Sequence, residues 1–239
     1  MSAVAGRMSI QAGAHSLEKT QKGRGLLLGG APGVDPANVL ILGGGVVGEN
    51  AAIIATGMKA NVAIVDKSIE RIEELKDIFG DLINAYLVDE IDLKKHIINC
   101  DLLIGGVLIP GANAPKIISK DMIDIMKRGS VIVDVAIDQG GCVATSKPTT
   151  HANPTYLVNN VVHYCVTNMP GGVPMTSTLA LNAATLPYVM KLAQDGYKKA
   201  LKSDTNFLNG LNVFQGQVTY KAIAEDLGYE YVNPSIAIN

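Results

Sequence analysis

Three glycines, Gly43, Gly45 and Gly48, stand at G-x-G-x-x-G spacing directly after the apolar run Val39-Leu40-Ile41-Leu42. A small-residue stretch, Ala51-Ala52-Ile53-Ile54-Ala55, follows them, and a second apolar run, Val62-Ala63-Ile64-Val65, ends at Asp66. Strand, glycine turn, helix, strand and terminal acid in that order form the dinucleotide-binding fingerprint, a far more specific signal than the glycines alone. Gly43 permits the tight turn out of the strand. Gly45 lets the backbone approach a pyrophosphate, and Gly48 lets helix and strand pack closely. The phosphates then face a helix N-terminus, whose unpaired N–H groups and positive dipole end favour anions. Asp66 is suited to accept hydrogen bonds from the adenosine ribose hydroxyls and to repel a 2′-phosphate, which indicates NAD over NADP. Lys67 and Arg71 weaken that exclusion, because a cation can meet a 2′-phosphate.

A second chemical stretch is Val131-Ile132-Val133-Asp134-Val135-Ala136-Ile137-Asp138-Gln139-Gly140-Gly141. Asp134 lies inside the apolar run and reads as a structural acid bonded to backbone or a neighbour. Asp138 lies just beyond it, and the glycines after it allow close approach to a ligand; a loop aspartate capping its own turn is the plain alternative. His151 and His163 have the titration range for acid/base work but read as structural. Cys142 follows two glycines; without a paired histidine it reads as an inert thiol.

The rest of the chain must position these groups. It has 239 residues, 48% hydrophobic and 18% charged, with 25 glycines, as expected for an α/β protein with a large core. Twenty basic and 22 acidic residues leave a net charge of −2, and no basic run stands out, which argues against nucleic acid and membrane surfaces as partners. No apolar stretch approaches the roughly 20 residues of a membrane span, and the first ten residues lack a signal-peptide core. Cys100, Cys142 and Cys165 are scattered and odd in number, which fits a reducing, cytoplasmic compartment and no structural metal; the four histidines lack ligand spacing as well.

Residues 2–20 are helix-permissive, and 21–35 form a glycine-rich loop. Strands are expected at 39–42, 62–65, 85–88, 102–105, 131–135 and 161–166, and helices at 49–56, 69–79, 93–98 and 121–126. Continuous apolar strands alternating with helices indicate an α/β fold with a doubly wound parallel sheet. Composition changes at Pro174. Residues 174–194 read as a long helix interrupted by Pro187, followed by shorter helices at 197–202 and 220–227 and no further strands. The domain expectation is therefore 1–173 for a dinucleotide-binding domain, with 1–37 as its leading helix and loop, and 174–239 for a helical segment. Its residues Leu179, Leu181, Leu186, Val189, Met190 and Leu192 need a cover.

The chain resembles the alanine dehydrogenase family and, more distantly, the NAD-binding half of the proton-translocating transhydrogenase. The resemblance rests on Val4-Ala5-Gly6-Arg7, Gly23-Arg24-Gly25, Leu28-Gly29-Gly30 and the glycine turn. It continues through Asp101-Leu102-Leu103-Ile104-Gly105, Leu108-Ile109-Pro110-Gly111, Ala114-Pro115-Lys116 and the stretch 131–142. Lys147-Pro148-Thr149-Thr150, His163-Tyr164-Cys165-Val166, Asn168-Met169-Pro170-Gly171, Thr176-Ser177-Thr178 and Ala184-Thr185-Leu186-Pro187-Tyr188 complete it. The resemblance implies an NAD-dependent oxidative deamination of L-alanine to pyruvate and ammonia by a homo-oligomer. Carried over residue by residue, it places cofactor contacts at Ser2, Val46, Val47, Asp66, Arg71, Val107, Leu108, Val135, Ala136, Ile137, Asp138, Val166, Thr167, Asn168 and Met169. It sets Asp138, the candidate catalytic group, at the nicotinamide end. A carboxylate there suits the substrate ammonium or the charge that develops as hydride leaves.

One departure stands out. Members of the family begin well before the position of Met1, and that earlier segment carries the arginine, lysine and histidine that hold and activate the substrate. The expectation is a chain lacking this segment, inactive alone, with residues 174–239 a remnant of the substrate domain. Its partner would be a further copy or a chain supplying the segment. The alternative is an NAD-binding module without independent catalysis, or one half of a split enzyme.

Overall fold

A computed structural model describes residues 1–107 and 114–238. Seven strands form one sheet: β1 (Asn38–Leu42), β2 (Asn61–Asp66), β3 (Ile83–Leu87), β4 (Leu102–Gly105), β5 (Val131–Asp134), β6 (Thr155–Val158) and β7 (Val161–Tyr164). Their spatial order is β3-β2-β1-β4-β5-β7-β6, and every pairing is parallel except β6 with β7. This is the doubly wound order, reversing between β1 and β4, with one antiparallel strand at an edge.

Because side chains alternate across a strand, the unbroken apolar runs feed two cores. Val39 and Ile41 of β1 join Val62, Ile64, Leu102, Ile104, Val131 and Val133 on one face. Helices α1 (Ser2–Ser16), α2 (Val46–Gly57) and α3 (Ile69–Phe79) cover that face through Ile10, Ala51, Ala52, Ala55, Ile72 and Leu75. Leu40 and Leu42 point the other way, beside Leu103 and Ile132, under α4 (Leu93–Asn99) and α5 (Lys120–Asp124) with Ile97 and Ile123. A polar bridge ties α1 to α2: Arg7 Nε donates to Asn50 Oδ1 at 2.9 Å, and Asn50 Nδ2 donates to the Val46 carbonyl.

The described chain divides into two compact units, Met1–Ser177 and Thr178–Asn239. The second contains most of α6 (Pro174–Lys202), then α7 (Thr205–Leu208), α8 (Lys221–Leu227) and α9 (Pro234–Ala237) around a small core of Leu201, Leu208 and Ile238. Leu179, Leu181, Leu186, Val189 and Met190 are exposed along α6. Two expectations need correction here. Helical dihedrals continue through Pro187 and depart only at Gly196 (φ 72°, ψ 156°), where a glycine can take a conformation other residues avoid. The expectation of no further strands also fails: β8 (Val213–Phe214) and β9 (Gln217–Val218) pair in a hairpin. Gln215 and Gly216 at its tip both have positive φ, the backbone that closes a two-residue turn with the right twist.

The first unit holds a similar surprise. Residues 155–158 were not expected as a strand, yet they form β6, folded back on β7 through Asn159 and Asn160, both at positive φ. Asparagine tolerates that region better than most residues. No helix among the described residues is long and apolar enough to cross a membrane.

Candidate dinucleotide site

The carboxyl ends of β1, β2 and β4 and the start of α2 enclose a cleft of about 460 Å³. Of the residues singled out in the sequence, Ser2, Gly43, Gly45, Val46, Val47, Asp66 and Val107 line it. Gly48 does not; it lies beneath the turn, where an added Cβ would overlap the Gly43 carbonyl oxygen. Gly45 differs: beyond its chain neighbours, no atom of the described residues lies within 4 Å of the position its Cβ would occupy. One glycine serves packing, the other keeps a surface open.

Gly45 is also the N-cap of α2, and no side chain caps this helix. By contrast α3, α4 and α5 are capped by Ser68, Asp92 and Ser119. The first-turn N–H groups of α2 lack helical partners by construction, so an anion at this end meets donors that no side chain among the described residues caps.

Asp66 closes the other end of the cleft at the tip of β2. Its Oδ2 accepts from Gly44 N at 2.6 Å and its Oδ1 from Ser68 N at 3.0 Å. Both contacts fix the carboxylate in place, and each oxygen keeps acceptor capacity. Arg71, expected as a cofactor contact, is not among the lining residues. Its Nε donates to the Gly44 carbonyl at 2.6 Å, and its terminal nitrogens pair with Glu49 and Glu74. These contacts tie it to the glycine turn. Lys67, singled out as a cation that could meet a 2′-phosphate, also lines the cleft; sequence reasoning missed the apolar wall of Leu42, Val65, Val88, Leu93 and Ile117, together with Gly106 and Pro115. These come from strand ends and helix starts that carry no motif; the only signal was their position in the doubly wound order. Such a wall suits the faces of an aromatic base.

The other predicted contacts fall outside this cleft. Val135, Ala136, Ile137 and Asp138 lie in a 3-10 turn, Val135–Gln139, directly after β5. Met169 opens a second such turn, Met169–Gly172; Val166 is buried and Asn168 takes a left-handed backbone, φ 54°. Thr167 is half-buried between them. The helix that begins at Ser2, α1, packs against both turns. Leu108 lies outside the described residues. Asp138 is exposed, and its carboxylate has no partner among the described residues.

The loop that follows Asp138 is held by buried charge. Asp134, fully buried, accepts from Cys142 N at 3.3 Å, Val143 N at 3.2 Å and Ser146 Oγ at 2.6 Å. The Lys116 ammonium donates to the carbonyls of Gly140, Gly141 and Val143. Asp134 is thus the structural acid expected. Burial and the Asp134 charge push the Cys142 thiol well above its ordinary range, so it is not a ready nucleophile. Burial also lowers the His163 pKa. Its Nδ1 donates to the Val161 carbonyl at 3.1 Å, leaving Nε2 to accept from Thr145 Oγ1 at 2.7 Å. That makes His163 a structural, neutral imidazole. The exposed His151 places Nε2 at 3.1 Å from the Asn168 carbonyl.

Fold and cleft together define a dinucleotide-binding protein of the Rossmann type. Comparison with known proteins narrows the class. Residues 9–221 match the model of the family described as alanine dehydrogenase/PNT, C-terminal domain. Alanine dehydrogenase of Halomonas elongata is 58% identical over 238 residues, covering 100% of this chain and 64% of that protein. Alanine dehydrogenase 2 of Staphylococcus aureus strain MRSA252 is 50% identical over 240 residues, again 100% of this chain and 64% of the relative. Among solved structures, an L-alanine dehydrogenase superposes with a TM-score of 0.89 at 49% identity, over 95% of this chain and 63% of that one. A transhydrogenase from Sinorhizobium meliloti, TM-score 0.63 at 23% identity over 74% of this chain and 51% of that one, shares the fold. The chain belongs to the alanine dehydrogenase/PNT C-terminal domain family, whose cofactor is NAD. It spans just under two thirds of the length of the curated relatives it matches, 64% in both cases given.

Proposed function

We propose that this chain is the nucleotide-binding part of an NAD-dependent alanine dehydrogenase, which converts L-alanine to pyruvate and ammonia. The observation that carries the reading is the cleft. It has an uncapped helix start at one end, with open space at Gly45, and an anchored carboxylate, Asp66, at the other. A diphosphate fits the first and a ribose diol the second, and the apolar wall between suits the base.

In this reading the backbone N–H groups of Val46 and Val47 hold the phosphates, Asp66 accepts from the ribose hydroxyls, and Ser2 and Val107 line the cleft beside them. Arg71 keeps the turn in register. The 3-10 turn 135–139 and the stretch 166–169 present Asp138 and Asn168 where a nicotinamide and substrate would meet. NAD, when bound, supplies the hydride acceptor. The chain's share is to orient that acceptor and to set a carboxylate near the substrate ammonium.

Asp138 cannot hold alanine alone. It attracts the ammonium and repels the carboxylate, and Lys116 is committed to three backbone carbonyls. Fixed orientation of the reacting atoms at about 3–3.5 Å supplies roughly 7–11 kcal/mol of such a barrier, and a single acid does not fix a two-ended substrate. The 239-residue chain is therefore expected to bind NADH and to turn over L-alanine negligibly. The exposed apolar face of α6 favours the companion proposal that residues 174–239 belong to a substrate domain that these residues do not complete by themselves. The complement is either the segment that corresponds to the rest of the relatives' length or a further copy in a homo-oligomer. The test is steady-state oxidation of L-alanine with NAD, by this chain alone and after fusion to the remaining third of the Halomonas elongata relative. Activity in the fusion alone supports the proposal; robust activity of the chain alone overturns the division of labour. A fusion that folds and binds NADH but oxidises no alanine overturns the substrate.

A further inference from the structure

The opposite edge of the sheet carries a second concave site, built from different segments. Lys19 and Lys22 from the turn after α1, Arg24 just beyond it, Arg128 and Gly129 before β5, and Asn160 before β7 line a cavity of about 500 Å³. It lies at the amino ends of β5 and β7, whereas the dinucleotide cleft lies at the carboxyl ends of β1, β2 and β4. The helix α1, 15 residues and so about 22 Å long, begins beside the cleft at Ser2 and ends one turn before Lys19.

Four cations face this cavity, although the chain as a whole is slightly acidic, at −2. The carboxylate at this edge is already committed. Asp101, with only 6% of its side chain exposed, lies 3.2 Å from Arg24 Nε and 3.5 Å from Lys127 Nζ, and it accepts from Asn38 N at 3.0 Å. The Arg24 contact is an ion pair by distance and not an aligned hydrogen bond: Nε is buried without an acceptor. Lys19, Lys22 and Arg128 have no acidic partner among the described residues.

The backbone brings these like charges together. Arg24 donates to the Arg128 carbonyl at 3.4 Å, and Gly129, at φ 79°, lies so close that a Cβ there would come within 2.8 Å of Arg24 N. Only glycine permits the approach. Gathering Lys19, Lys22 and Arg128 beside the Arg24–Asp101 pair raises the free energy of the empty site, and a bound anion would relieve it. A monocarboxylate would neutralise one of the three charges that Asp101 leaves unpaired. A phosphate or diphosphate carries more charge and matches the planar fork of arginine.

We propose that this cavity binds the phosphate or diphosphate group of a small ligand, at a site separate from the dinucleotide cleft. The probe is pyrophosphate, titrated calorimetrically at low salt into the full 239-residue chain with its dinucleotide cleft filled by saturating NADH, with ADP as a second arm. Lys22→Gln/Arg128→Gln removes two exposed cations and leaves the Arg24–Asp101 pair intact; Lys94→Gln/Lys95→Gln on α4 removes the same charge elsewhere. Saturable binding that weakens about tenfold or more in the first variant, and stays unchanged in the second, is the expected result. Comparable affinity for ADP and pyrophosphate then identifies a free diphosphate as the ligand, and tighter ADP binding a nucleotide. Absence of saturable binding while NADH fills the cleft, or equal loss in both charge variants, would each overturn the assignment.

Discussion

Gly45→Val separates binding from folding. Gly45 has φ −66° and ψ −165°, an ordinary extended backbone for any residue, and beyond its chain neighbours no atom of the described residues lies within 4 Å of its missing Cβ. The free chain should therefore accept valine at about 0.5 kcal/mol or less, the usual cost of an exposed substitution, which amounts to a melting shift of roughly 2 °C. Binding should suffer far more. The branched side chain occupies the space beside the first N–H groups of α2, where a pyrophosphate must come. Losing two charge-assisted hydrogen bonds at about 1.5–3 kcal/mol each weakens NADH by about 3–6 kcal/mol, or 10²–10⁴-fold. Gly48→Val is the contrast. Its Cβ would overlap the Gly43 carbonyl oxygen and lie 3.2 Å from Ile41 Cγ2, so overpacking should cost about 1–3 kcal/mol of stability or more. The assay pairs NADH fluorescence titration with thermal melts of both variants. NADH binding within threefold of the unmodified chain in Gly45→Val would refute the placement of the phosphates. Equal destabilisation of the two variants would refute the claim that Gly45 faces open space.

Asp66→Ala should weaken NADH about tenfold or more and NADPH less, narrowing the gap between them in parallel calorimetric titrations; a widened gap would contradict the ribose role. Lys116→Met leaves the carbonyls of Gly140, Gly141 and Val143 without their ammonium donor and should cost about 1–3 kcal/mol, read from urea denaturation midpoints. His163 resists protonation in the folded chain, while the unfolded chain takes a proton near its ordinary value of 6.5. The stability linked to it is therefore full above about pH 6.5 and is lost as pH falls below that, at no more than about 1.4 kcal/mol per pH unit. His163→Gln should flatten the difference in urea midpoint between pH 8 and pH 5.

Four of the parallel strands, β1, β2, β4 and β5, were legible because each is a short, uninterrupted apolar run that meets glycine or an acid: Leu42 before Gly43, Val65 before Asp66, Ile104 before Gly105, Val133 before Asp134; β3, broken by Asn84, begins two residues before its expected place at 85–88. Burial on both faces writes that pattern directly. The strand β6 was not, since Thr155-Tyr156-Leu157-Val158 sits at an edge and is only partly buried; its hairpin signal was Asn159-Asn160, not an apolar run. The hairpin β8–β9 hid in the same way behind Gln215-Gly216. For the site, motif reasoning reached the glycine turn and Asp66, whose chemistry demands those residue types. It missed the wall of Val88, Leu93 and Ile117, because an apolar lining residue is chemically indistinguishable from a core residue until the fold places it. Arg71 was legible only in part. Its position beside the cleft is visible from the spacing, but its contacts with Gly44, Glu49 and Glu74 depend on tertiary structure.

Those contacts belong to a pattern that recurs in the molecule. Two glycine-rich loops lie at the carboxyl edge of the sheet, and each is clamped by one acid and one base that do not pair with each other. In the first, Asp66 accepts from Gly44 N while Arg71 donates to Gly44 O. In the second, Asp134 accepts from Cys142 N and Val143 N while Lys116 donates to the carbonyls of Gly140, Gly141 and Val143. Opposite charges thus serve opposite ends of the peptide groups. Glycine loops lose more conformational entropy on ordering than any others, and a loop ordered by its ligand charges that loss against affinity. Clamping the peptide groups from within moves the loss to the folding step. The open surface at Gly45 and the exposed carboxylate of Asp138 are then in place before any ligand arrives.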